Sequence, residues 1–98
     1  MNADGNTRGL ATSLRETAEL LEMVGESFWS ARLRGALAEA QPDVRAIRSW
    51  FGGIGSFNDL VLARVNGHKV GQLTERAAND RLDILRGQLW ALSTPADR

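Results

Sequence analysis

Residues 10–37 read LATSLRETAELLEMVGESFWSARLRGAL, and the spacing of apolar positions in this stretch decides the fold. Leu10, Leu14, Ala18, Leu21 and Val24 are separated by 4, 4, 3 and 3 positions. That is the repeat of a helix over residues 7–24 burying one stripe, with Arg15, Glu19 and Glu22 turned away from it. Leu20 falls on the rim of the stripe and Met23 on the outer side. Gly25 supplies the stop, since glycine enters the left-handed conformation without a Cβ clash. A second helix is predicted over residues 27–40, with Trp29, Leu33, Ala36, Leu37 and Ala40 on one face. Gly25-Glu26 leaves room only for a tight turn, so the two helices form an antiparallel hairpin.

Working outward, Pro42 ends the second helix and opens a short third one over residues 42–51, with Val44, Ile47, Trp50 and Phe51 on one side. Near the other end, Thr74 is a suitable N-cap for a helix running to Leu92. Its apolar face is predicted to hold Ala77, Ala78, Leu82, Ile84, Leu85, Leu89 and Leu92. Between these helices, Gly52-Gly53-Ile54-Gly55-Ser56 interrupts the pattern, because glycines in a helix interior are costly. Asn66-Gly67 is a strong signal for a two-residue turn. It predicts a two-stranded β-hairpin over residues 60–70, pairing Val65 with His68 and Arg64 with Lys69, and leaning on the helices through Leu60, Val61 or Leu62. The expected architecture is a mainly α, compact four-helix domain with a small β-hairpin between helices 3 and 4. It forms one domain over 1–98, with an ordered core over 7–92 and mobile ends at 1–6 and 93–98.

The chain has 98 residues, with twelve basic and twelve acidic side chains in balance, so no global field draws in nucleic acid or an anionic membrane. It has no cysteine, which excludes disulfides, thiolate chemistry and Cys-ligated metals. His68 is the only histidine and tyrosine is absent, so a histidine-rich metal site cannot form within one chain and a catalytic triad would have to pass through His68. Met1–Asn6 is polar and shows no apolar run of a secretory signal, and no apolar stretch reaches the length of a membrane span. No cofactor is expected, and the expected compartment is the cytoplasm.

Among candidate sites, the glycine block could hold a phosphate through bare backbone N–H groups. However, no Lys-Ser/Thr follows it, and Asn58 stands where a dinucleotide fingerprint needs its third glycine. Gly52, Gly53 and Gly55 read better as a structural corner. Asn58 and Asp59 fit local backbone capping. His68 is predicted beside the hairpin tip, exposed and without a role. Arg81 and Gln88 fall inside the apolar arc of the last helix. Either their stems reach water at the domain edge, or they line a groove, or they pair with Asp59 as a buried polar anchor. Trp29, Trp50, Phe51 and Phe57 read as core. Trp90 shares the polar side of its helix with Asp83 and Arg86, and Met23 is similarly out of place. Both are candidate partner contacts.

Three pieces of the chain resemble an uncharacterised family of short bacterial proteins. They are Gly25-Glu26 with Trp29 and Leu33; Ser49-Trp50-Phe51-Gly52-Gly53-Ile54-Gly55-Ser56-Phe57-Asn58-Asp59-Leu60-Val61-Leu62; and Asn79, Leu82 and Leu85. The family carries a Gly-Gly-Met-Gly-Ser-Phe/Leu-Asn-Asp block, from which Ile54 is a departure. The resemblance implies a small standalone bacterial protein, with some relatives encoded near toxin or immunity genes, and it transfers no catalytic residue. The expected function is a non-enzymatic interaction factor, of immunity or accessory type, that binds another protein or a second copy of itself. The alternative is a small-molecule or anion-binding domain using Ser56, Asn58, Asp59 and Arg81 around the glycine turn.

Overall fold

The apolar stripe of the first helix buries Leu10, Leu14, Ala18 and Leu21 completely or nearly so, and Leu20 and Thr17 are buried beside it. A single partner would not cover so wide an arc; this helix lies between two others. The computed structural model describes residues 3–52, 55–70 and 74–93. Among them are four α-helices: α1 (Ala3–Met23), α2 (Ser27–Leu37), α3 (Val44–Ser49) and α4 (Glu75–Leu92). α1 packs along both α2 and α4, and α3 closes against α4. Gly9 faces Leu92, Ser13 bonds Gln88, and Glu16 pairs with Arg81, so α1 and α4 run antiparallel. No helix among the described residues is long and apolar enough to cross a membrane.

The α1–α2 turn is a glycine-capped helix end. Gly25 has φ +76°, its N–H donates to the Glu22 carbonyl at 3.1 Å, and the Glu26 N–H donates to the Leu21 carbonyl at 2.8 Å. These are the two bonds of a Schellman cap, which satisfies carbonyls that the helix end leaves open. Arg34 of α2 reaches back to Glu22 of α1 through two bonds of 2.8 Å, and these bonds hold the Glu22 carboxyl below the usual carboxylate range.

Several boundaries differ from the sequence expectation. α1 begins at Ala3 rather than Thr7, because a long packed helix carries weak formers such as Gly5 and Asn6 at its end. Residues 94–98, and with them most of the expected C-terminal tail, lie outside the described residues. α2 stops at Leu37, and Ala40 is exposed. α3 starts after Asp43, not at Pro42, because the Asp43 carboxylate accepts from the N–H groups of Arg45 and Ala46 at 3.1 and 3.2 Å. Thr74 does cap α4, its hydroxyl accepting from the Ala77 N–H at 3.0 Å. On α4 the buried line is Ala78, Leu82, Leu85 and Leu89, leaving Ala77 and Ile84 exposed. Ile84 stands one helical step, about 100°, from Leu85, which carries it off the packed line.

The expected β-hairpin is absent: the described residues between α3 and α4 contain no strand. A two-residue hairpin turn of the common type needs positive φ at both central positions. Here Gly67 has φ +88° but Asn66 does not share it, and Arg64–Asn66 form one 3₁₀ turn instead. The Asn66 side chain donates to the Val61 carbonyl at 3.1 Å, and the His68 N–H donates to the Ala63 carbonyl at 3.1 Å. The segment therefore folds on itself, and α4 supplies the partners a second strand would have provided. The Asn79 amide accepts from the Leu62 N–H and donates to the Leu62 carbonyl, both at 2.8 Å, copying a strand pair with one side chain. Glu75 accepts from the Arg64 N–H at 2.8 Å. Arg86 donates to the carbonyls of Phe57 and Leu60 at 2.7 and 3.0 Å. Leu62 is fully buried under this arrangement and Val61 faces out.

Because Asn79 satisfies both polar groups of a buried residue, Asn79→Ala is expected to cost about 2–3 kcal/mol of unfolding free energy in a denaturant titration. Asn79→Asp, which keeps an acceptor and loses the donor, is expected to fall between wild type and Asn79→Ala.

Candidate functional site

The glycine corner is closed by its own neighbours. The Phe57 N–H donates to the Trp50 carbonyl at 2.7 Å, the Asn58 amide donates to the Phe51 carbonyl at 3.0 Å, and Asp59 accepts from the Gly55 N–H at 2.7 Å. Gly55 has φ +79°, a conformation that favours glycine. Gly52 lies in the bend that follows α3, and Gly53 lies outside the described residues. The corner sets Phe57, with no exposed surface, at the hub of an aromatic cluster. Its ring centroid lies 4.8 Å from Trp29, 6.4 Å from Trp50 and 5.6 Å from Phe51.

Phe51 carries the cluster to the surface, where its ring meets Trp90 at 5.4 Å and 62°. Trp90 is 45% exposed, so the sequence reading of a tryptophan off the core face holds, but its ring is not loose. The Arg48 guanidinium lies 3.7 Å from the Trp90 ring centroid, and its Nη2 donates to the Trp90 carbonyl at 3.2 Å. Beside Trp90 opens a groove of about 520 Å³ lined by Phe51, Asn58, Asp83, Arg86, Gly87 and Trp90. Arg86 is spent on the loop carbonyls and on Asp83. Asn58 donates from its Nδ2, and its Oδ1 has no partner among the described residues. Asp83 is two-thirds exposed and keeps an oxygen for another donor. Gly87 sits in the middle of α4, where glycine costs about 1 kcal/mol relative to alanine, and a Cβ there would meet nothing within 4 Å. No close packing accounts for it; it leaves the groove floor bare. This arrangement can receive an apolar side chain against two fixed rings, with polar acceptors at the rim.

The other sequence candidates are placed elsewhere. Met23 is 61% exposed at the far end of α1. Since Ser13 lies opposite Gln88, that end stands roughly 15–20 Å from Trp90 along the helix pair, at 1.5 Å per residue, so the two residues form no common surface. Arg81 does not meet Asp59. It pairs with Glu16 at 3.6 Å, and Gln88 accepts from Ser13 at 3.3 Å, so both lie along the exposed seam of α1 and α4. Ser56 is nine-tenths buried.

His68 corrects the sequence expectation most sharply. It is buried, not exposed at a tip, and both ring nitrogens are engaged. Nδ1 accepts from the Ala63 N–H at 3.1 Å, which leaves the proton on Nε2, donated to Glu26 at 2.7 Å. The other Glu26 oxygen accepts from the Trp29 N–H at 3.1 Å and caps α2. Next to this pair, the Lys69 N–H donates to the Val24 carbonyl at 2.8 Å. Glu26 and His68 thus fasten the irregular segment to the α1–α2 turn, a structural assignment that uses the one histidine.

Among the described residues the chain is mainly helical, with an irregular strap held by side chains and an aromatic groove at the α3–α4 junction. Residues 22–71, half of the chain, match the family described as a domain of unknown function, DUF6966, and the chain belongs to that family. No curated protein and no solved structure matches it.

His68→Ala takes the partner from one oxygen of the half-buried Glu26 carboxylate and the acceptor from the buried Ala63 N–H, and is expected to cost about 2–4 kcal/mol in chemical denaturation. An exposed histidine would cost nothing measurable. Ring ¹⁵N shifts in long-range correlation spectra at neutral pH are expected to report the Nε2–H form.

Proposed function

We propose that this protein is a non-enzymatic interaction factor, an accessory or immunity-type protein of the bacterial cytoplasm, that works by docking another protein in the groove beside Trp90. The observation that carries the reading is a tryptophan fixed before any partner arrives, by Arg48 stacked on its ring and Phe51 against it. Residues that dominate protein interfaces are enriched in tryptophan and seated in well-packed pockets. An immobilised ring also loses less entropy on binding than a free one. The bare backbone at Gly87 supports the same reading, because it lets a partner's side chain approach the helix.

A partner inserting an apolar side chain fits this surface better than a second copy does. Stable interfaces bury roughly 800 Å² on each partner. Among the described residues, the other large exposed apolar side chains, Met23, Phe28, Val61, Val65 and Ile84, lie on different elements or different faces and do not extend a flat patch around Trp90.

The expected outcome is that wild type and Ile84→Ala retain the same partner in affinity capture, whereas Trp90→Ala loses it. With the purified partner, Trp90→Ala is expected to weaken binding by about 2 kcal/mol or more, and Met23→Ala to leave it unchanged. Equal binding by Trp90→Ala overturns the reading. So does light scattering that shows a dimer which Trp90→Ala converts to monomer.

A further inference from the structure

On the opposite side of the aromatic cluster, α2 and the glycine corner enclose a second hollow of about 240 Å³. Phe28, Trp29, Arg32, Trp50, Gly55 and Ser56 are among the residues that line it. Three features of this hollow point to a ligand. First, the Arg32 guanidinium is stacked over Phe28 and Trp29, at 4.8 and 5.3 Å from the ring centroids, and forms no ion pair among the described residues. Second, the Ser56 hydroxyl is nine-tenths buried and has no hydrogen-bond partner among the described residues. Buried polar groups are nearly always paired, so such an atom asks for a ligand. Third, Phe28 is 58% exposed although the core ring of Trp29 lies against it, so one wall of the hollow is an apolar side chain that the described residues cover only in part.

We propose that this hollow is a binding site for a small aromatic carboxylate. The ring lies against the exposed side of Phe28, and the carboxylate is held by Arg32 and by the Ser56 O–H. A guanidinium presents paired donors that match a carboxylate, and charge-assisted bonds of this kind are the strong ones. The size fits one ring with its acid group, since sites for drug-sized molecules begin near about 300 Å³. Glu39 and Asp43 line a neighbouring hollow that shares Arg32 and Trp50, and Asp43 is already committed to the α3 cap. The site is independent of the Trp90 groove, and of the cluster of Asn58, Asp59 and Arg81 expected from the sequence. Only Ser56 of that cluster takes part.

The test is a ¹H–¹⁵N NMR titration of the whole protein with sodium benzoate. Saturating shifts at Arg32, Ser56 and the Trp29 indole are expected, with Kd of about 1 mM for a ligand so small. Benzyl alcohol, a ring without charge, and acetate, a charge without a ring, are each expected to bind about tenfold more weakly or not at all. A peptide ending in a free Phe carboxylate binding in place of benzoate assigns the same chemistry to a chain end. Arg32→Gln is expected to abolish saturation, and Trp90→Ala to leave it intact, which separates this site from the docking groove. Ser56→Ala is expected to weaken binding about fivefold while leaving the melting temperature of the free protein unchanged or raised, because it removes an unpaired buried hydroxyl. Absence of saturation up to 20 mM for both benzoate and the peptide overturns the proposal, as does equal benzoate binding by Arg32→Gln, or a lower melting temperature in Ser56→Ala.

Discussion

A segment with no partner strand must still pair its backbone polar groups, and in this protein that constraint falls on the chain between Phe57 and Val70. An unpaired N–H or carbonyl taken out of water costs as much as a lost hydrogen bond. The answer is a set of side chains aimed at the segment from one side of α4: Glu75, Asn79 and Arg86. Glu26 and His68 complete it from the α1–α2 turn. What looks like a polar helix face is therefore a hydrogen-bonding surface turned toward protein, and the position of Phe57, the aromatic cluster and both hollows follows from it.

This explains how much of the fold could be read in advance. The helices were legible because α1, α2 and α4 bury stripes at a 3.6-residue period, and Gly25 and Thr74 carry their signals within a few residues of where they act. The Asn66-Gly67 hairpin failed because its competitor was distant. Asn66 turns its amide onto Val61, while the strand-like partner of Leu62 is one side chain on α4, seventeen residues away. Periodicity assigns Asn79 and Arg86 to solvent, since it sees only that they are polar. His68 shows the same limit, because its partner Glu26 lies 42 residues away and reads locally as a turn residue.

The candidate site was half visible. Trp90 announced itself by standing on the wrong side of its helix, and that remains true of its exposure. Nothing in the sequence joined it to Arg48 and Phe51, which meet it only after α3 closes on α4. Gly87 was a signal that could have been used, because a glycine inside a helix with no turn to serve leaves bare backbone, and here that backbone lines the groove. Asn58 and Asp59 behave as their residue types suggest, bonding nearby backbone. The expected link between Asp59 and Arg81 asked two residues on different sides of α4 to meet.

The family match over residues 22–71 covers the α2–α3 region and the strap, and leaves out nearly all of α1 and the whole of α4. The matched portion is thus a passenger on helices it does not contain: its backbone amides are answered by Asn79 and Arg86, and its apolar underside by Leu14 and Leu82. Grafted alone into another protein, it would arrive without its anchors. Cut out by itself, the portion would leave the carbonyls of Phe57, Leu60 and Leu62 to water, because the amide and the guanidinium that answer them stay behind on α4.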